Sequence, residues 1–180
     1  MIRTKRLILE SATVVDKTKE FLQAIREAKE FEWYYGMRET EENLNEVNIS
    51  RERFYNIFDQ DGNFIGYIGF SMEYKYYALE LYIIKAYRRK GYAYESMMAI
   101  IKEAFEGNIP RMEKTRLSKI VSTIRKENEP SRLLMEKCGF EPEEKTSTIC
   151  IVFPEADFDN PIFVVKYFIT KERYEEKCWI

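Results

Sequence analysis

Leu7, Ile8 and Leu9 are the apolar centre of a loosely alternating run that predicts a first strand over 3–10. From Asp16, a candidate N-cap, Phe21, Leu22, Ile25 and Ala28 recur at helical spacing and mark the buried side of a first helix. Phe54 to Phe58 and Phe64 to Phe70 flank Asp59-Gln60-Asp61-Gly62-Asn63, turn residues that predict a hairpin. Gly66 and Gly69 weaken its second strand and signal close packing or a bulge. A break near 73–75 leads into the apolar run Ala78 to Ile84, a third strand in antiparallel succession. Met97, Met98, Ile101, Ala104 and Phe105 then share one side of an amphipathic helix that begins after Ala93, with Glu95 in its first turn and Gly107 as its stop.

Further along, 117–124 reads as a strand, and Asn128-Glu129-Pro130-Ser131 opens a short helix with proline in the first turn, where its missing N–H costs nothing. Gly139 closes that helix and Phe140 returns to the core. Two last strands, 148–153 and 162–169, are joined by a polar, proline-bounded loop and form a C-terminal hairpin. The stretch 30–53 is rich in charge and aromatics. Its acidic part, 40–48, reads either as a solvated surface helix or as a flap over an acceptor pocket.

The chemistry concentrates where the third strand meets the long helix. Arg88-Arg89-Lys90-Gly91-Tyr92-Ala93 places three cations, a glycine and a small residue at a helix N-terminus. Unpaired N–H groups and a partial positive charge make such an end a holder of phosphates, and Gly91 lets the backbone approach closely. A solvated strand-to-helix turn would have the same local composition.

Composition narrows the partners. With 180 residues, 45% of them hydrophobic and 15% aromatic, the chain predicts a single domain, 1–180, with its own core. Its 29 basic and 31 acidic residues leave no electrostatic footprint for nucleic acid. No apolar run is long enough to span a membrane or serve as a leader, so a cytoplasmic location and no membrane partner are expected. Cys138, Cys150 and Cys178 follow neither a zinc nor a disulfide pattern. Histidine is absent, which removes Ser-His-Asp and Cys-His mechanisms and the usual zinc ligands; no metal site is expected.

Three motifs in order give a resemblance. Thr4-Lys5-Arg6-Leu7-Ile8-Leu9, Arg88-x-x-Gly91-x-Ala93 and Asn128-x-x-Ser131 with Glu136-Lys137-Cys138-Gly139-Phe140 are similar to the opening strand, the acyl-CoA diphosphate loop and the second cofactor helix of the GNAT acetyltransferases, in their RimJ/RimL-like branch. The resemblance covers about residues 1–145. It implies an α/β fold of the α+β type, with a mixed, twisted central sheet splayed near its middle, flanked by helices, and the cofactor acetyl-CoA (CoA) in the split.

By the same resemblance, Leu81, Tyr82 and Ile83 would run beside the pantetheine arm, with a backbone N–H near Tyr82 or Ile83 facing the thioester oxygen. Arg88, Arg89, Lys90, Gly91, Tyr92 and Ala93 would hold the diphosphate, and Asn128 and Ser131 the polar arm. The reaction expected is N-acetyl transfer to a primary amine, a protein N-terminus or a small molecule. At pH 7 only about a thousandth of a lysine-like amine, or a tenth of an α-amine, is neutral, so a carboxylate base is wanted. Glu80, on one strand face with Ala78 and Tyr82, is the candidate. The branch's usual glutamate position falls on Ala78, so Glu80 reads equally as an edge residue.

The position of the family's tyrosine acid is Met135. Ser131 could bond the sulfur or merely cap its helix, and Asn128 is an N-cap in its structural reading. Trp33, Tyr34 and Tyr35 are candidates for the acceptor pocket. A non-catalytic acyl-CoA-binding or interaction module on the same fold is the competing function. A homodimer through a protruding C-terminal hairpin stays open.

Overall fold

The structure is a computed structural model that describes residues 1–30, 53–113, 117–144, 148–150 and 162–177. Trp33, Tyr34 and Tyr35, the acidic stretch 40–48 and the loop 154–161 lie outside the described residues. The elements are β1 (Ile2–Arg3), β2 (Leu7–Ser11), α1 (Thr18–Glu27), β3 (Phe54–Asp59), β4 (Phe64–Glu73), β5 (Tyr76–Ile83), α2 (Tyr92–Glu106), β6 (Lys119–Arg125), α3 (Glu129–Lys137), β7 (Glu141–Pro142), β8 (Thr148–Cys150), β9 (Ile162–Thr170) and α4 (Lys171–Lys177).

The predicted first strand is two, β1 and β2, folded on each other by Thr4, whose hydroxyl accepts the Leu7 N–H at 2.9 Å. Asp16 stands one residue outside the N-cap, Lys17; its carboxylate accepts the Thr18 N–H at 3.0 Å. The hairpin and third strand form as their pattern predicts. The sequence reading missed α4, because Lys-Glu-Arg-Tyr-Glu-Glu-Lys carries a single apolar residue. That residue, Tyr174, is buried against Phe105, ring centroids 5.4 Å apart.

The nine strands form one mixed sheet in the order β1-β2-β3-β4-β5-β6-β9-β7, with β8 also beside β9. Leu9, Ile57, Ile68 and Leu79 belong to the main core, with Met97 and Ile101 of α2 and Met135 of α3. On the opposite face α1 packs Phe21 and Ile25 against Phe54, Tyr67 and Tyr82. Side chains alternate between faces along a strand, so Tyr82 and Glu80 share the α1 side while Leu79 and Ile83 point into the main core. The C-terminal hairpin pairs as Thr148↔Val164 to Cys150↔Ile162. Its long strand does not protrude, since β9 lies along β6 from Lys119↔Thr170 to Arg125↔Val164.

β5 pairs with β4 along its whole length, from Gly66↔Ile83 to Glu73↔Tyr76. Its parallel pairing with β6 covers only Tyr77↔Ile120 and Ala78↔Val121. Beyond Ala78 the two strands part, and the buried Ser122 hydroxyl donates to the Leu79 carbonyl at the fork at 3.2 Å.

The bulge expected in β4 is present: register shifts between Ile57 and Phe58 on β3, opposite Gly66 and Phe64. A Cβ on Gly66 would fall on the Tyr82 carbonyl oxygen and lie 3.1 Å from the Ile83 Cα, both backbone atoms that cannot swing aside. Gly66→Ala is therefore expected to cost about 2–4 kcal/mol of stability. A urea midpoint equal to that of the unsubstituted protein would contradict this.

Candidate active site

Because β5 and β6 are parallel, their C-terminal ends open on one side, and each feeds a helix whose N-terminus comes back to that side. α2 follows β5 and α3 follows β6. Ligands of α/β units bind at such mouths, where strand ends diverge and helix dipoles converge.

The first mouth-lining segment is the loop into α2. The chain is left-handed at Arg89 (φ +61°) and again at Gly91 (φ +84°), which is the helix N-cap. The bond from the Glu95 N–H to the Gly91 carbonyl, 3.1 Å, is the first of the helical ladder. The N–H groups of Tyr92, Ala93 and Tyr94 precede it and have no place in that ladder. Arg89 and Lys90 are exposed, and the Lys90 ammonium lies 5.2 Å from the centre of the Tyr87 ring.

Arg88 departs from the expectation of a third free cation. Its Nη1 and Nη2 donate to Glu30 Oε1 and Oε2 at 2.7 and 2.5 Å, and its Nε donates to the Ile83 carbonyl at 2.8 Å. Hydrogen bonding by the Arg88 guanidinium holds the Glu30 carboxyl below its ordinary range, and Glu30 in turn raises Arg88.

Sequence reasoning took Thr4 and Arg6 as a strand motif and Glu95 as a first-turn acid, and missed their connection. Thr4 Oγ1 and the Arg6 N–H donate to Glu95 Oε1 at 2.6 and 2.9 Å, and Arg6 Nε donates to Oε2 at 2.7 Å. Arg6 Nη1 reaches the Lys90 carbonyl at 2.8 Å. Burial works to raise the Glu95 carboxyl, but hydrogen bonds from Thr4 and Arg6 outweigh it and leave the group lowered. Glu95 can therefore sit in the first turn with its charge balanced by Arg6, leaving the helix end attractive to an anion.

Along the fork, the strand geometry decides which backbone groups are available. The Ile84 N–H donates to the Ile65 carbonyl at 3.0 Å, so Ile84 faces β4. Peptide groups of alternate residues turn to the same side, and Tyr82 goes with Ile84. Of the two expected donors, Tyr82 and Ile83, the strand geometry turns Tyr82 toward β4 and Ile83, with Leu81, toward the opening. Arg88 takes the Ile83 carbonyl, which leaves the Ile83 N–H and both polar groups of Leu81 toward the split.

Glu80 lies opposite Gly69, with Ser71 diagonal to it across from Ala78. Burial pushes the Glu80 carboxyl up, and a hydrogen bond with Ser71 offsets part of the rise. Tyr82 on the same face donates its hydroxyl to Glu30 Oε2 at 2.8 Å, and burial raises its phenol far above the usual range. At α3 the Asn128 carboxamide accepts the Ser131 N–H at 3.3 Å, the N-cap role. Met135 is 5% exposed and part of the core, so it supplies no proton at the fork. Cys138, the C-cap of α3, touches Met97 of α2 at 3.9 Å between sulfurs. Among the described residues no cluster of His, Cys, Asp or Glu could hold a metal, and no helix is long and apolar enough to cross a membrane.

The sheet is forked between two parallel strands, with the N-terminus of a helix at its mouth. The chain belongs to the GNAT acetyltransferase family: residues 6–141 match its domain, described as acetyltransferase (GNAT) domain. The family uses acetyl-CoA. Similar solved structures include a GNAT-family acetyltransferase from Bacillus anthracis, 23% identical over 95% of this chain and 98% of that one, TM-score 0.69. An acetyltransferase from Agrobacterium tumefaciens is 20% identical over 94% of each chain, TM-score 0.67. Spermidine N-acetyltransferase from Vibrio cholerae in complex with CoA and spermine is 18% identical over 96% of this chain and 99% of that one, TM-score 0.65. No curated protein matches the chain.

Proposed function

We propose that the protein transfers acetyl from acetyl-CoA to a primary amine, a protein N-terminus or a small molecule, as a single-domain cytoplasmic enzyme of the RimJ/RimL-like branch. The observation that carries this is the parting of β5 from β6 beside the N-terminus of α2. The residues fit the cofactor: Gly91 has a backbone only glycine adopts freely, and the N–H groups of Tyr92, Ala93 and Tyr94 stand outside the helical ladder. Leu81 and Ile83 offer a free strand edge to an extended arm. Acetyl-CoA, when bound, supplies an activated thioester acyl group.

In this reading the chain's own groups do three things. The α2 end binds charge and fixes position. The Ile83 or Leu81 N–H is aimed into the split as an oxyanion donor of the kind worth about two orders of magnitude in rate. Glu80 takes the proton from the ammonium of the acceptor, directly or through water, so that a neutral amine attacks. Incubation with acetyl-CoA and a panel of amines and peptides, followed by release of free thiol, is expected to give turnover; none above blank across the panel would refute transferase activity. The buried Met135, at the family's acid position, favours a second reading, a CoA-binding module without turnover. CoA-dependent thermal stabilisation with no thiol release would support that one.

A further inference from the structure

The geometry points to Arg88 and Glu30 as a strut that positions the cofactor loop, with Arg88 acting through backbone placement and not as a ligand of the diphosphate. The assignment rests on the acetyl-CoA reading above. Arg88 is the first residue of the Arg-x-x-Gly-x-Ala loop, and Glu30 follows the end of α1 on the opposite face of the sheet from α2. Both carboxylate oxygens of Glu30 are engaged, Oε1 by Arg88 Nη1 and Oε2 by Arg88 Nη2 and the Tyr82 hydroxyl. The same guanidinium holds the Ile83 carbonyl through Nε and lies 5.3 Å from the centre of the Tyr82 ring.

One planar group thus joins three pieces of chain. These are the C-terminal end of β5, whose Leu81 and Ile83 amides face the split; the start of the phosphate loop; and Glu30, in the segment that follows α1. Partly exposed ion pairs usually contribute little, but a bidentate fork with a third bond to a backbone carbonyl fixes direction as well as distance. Lysine could match the charge and not the fork. A cation already shared between a carboxylate and a carbonyl has little left to offer an anion, whereas the loop's N–H groups are aimed by whatever holds residue 88 in place.

Three variants separate a strut from a direct ligand: Arg88→Lys, Glu30→Gln and the double variant. The strut predicts that each single change raises the Kd for CoA by about tenfold and that the double variant is no worse, since both remove one unit. The KM for acetyl-CoA should rise in parallel while kcat at saturation stays within about twofold; a general loss of folded protein would instead lower kcat at constant KM. If Arg88 gripped the diphosphate itself, Glu30→Gln would release it to do so, and CoA affinity would hold or improve. That result, or independent additive losses, overturns the strut. An unsubstituted protein that fails to bind CoA at all would overturn the acetyl-CoA reading as well, and is told apart by the titration of that protein alone.

Discussion

Gly91→Glu is expected to raise the Kd for CoA by at least about a hundredfold, the largest binding loss of any single change in this chain. Two effects add. A left-handed backbone costs a residue with a Cβ about 1–2 kcal/mol, and Gly91 has φ +84°. The new carboxylate would also stand at the helix end that the anion needs, where like charges repel in place of a dipole that attracts. The fold itself should tolerate the change, because among the described residues beyond its chain neighbours the heavy atom within 4 Å of an added Cβ is Arg6 Nη2, at 3.1 Å, the far end of a flexible side chain. At a CoA concentration of about 100 Kd the unsubstituted protein should gain about 2.7 kcal/mol of apparent stability. The variant should gain no more than about 0.4 kcal/mol at the same concentration. Calorimetric affinity within threefold of the original would remove the diphosphate from this loop.

Glu80→Gln is expected to lower kcat by about two to three orders of magnitude while leaving the Kd for CoA unchanged, since Glu80 faces the α1 side and the cofactor groups face the split. The pH dependence carries the sign. A general base works deprotonated, and burial raises the Glu80 carboxyl above its ordinary value. The acid limb of kcat/KM should therefore lie above the usual carboxylate range of about 4.3, with activity lost as pH falls through it. Between the unfolded and the raised folded value the native state binds the extra proton, so this group's contribution to stability declines as pH rises. Glu80→Gln should abolish the acid limb and should not lower the melting temperature at pH 7. A full kcat with an unchanged profile would leave Glu80 as an edge residue.

The site was legible in the sequence where its signals are local. Gly91 after a cationic turn, Glu95 in a first turn and Asn128 before a proline all report helix ends, and helix ends are set by residues within one turn of themselves. What the sequence concealed lies between residues far apart along the chain. Arg88 reads as a free cation because its partner is 58 residues away. Glu95 and Arg6, 89 residues apart, read as unrelated ends of two motifs. The split of β5 from β6 came from family resemblance, not from any pattern in the strands, since a parallel strand that stops pairing after two residues looks like one that does not.

Periodicity and turn chemistry alone therefore determined most of the strand and helix inventory of the described chain, missing α4, the short β7 and the division of the first strand into β1 and β2, and marked the loop before α2 as a place for phosphate. Tertiary structure decided the rest. It placed β9 against β6, chose Leu81 and Ile83 over Tyr82 as the residues facing the fork, and gave Arg88 to Glu30. The physical reason is range: hydrophobic period and capping act over one or two turns of chain, whereas strand order, peptide direction and ion pairing are fixed only when distant segments meet.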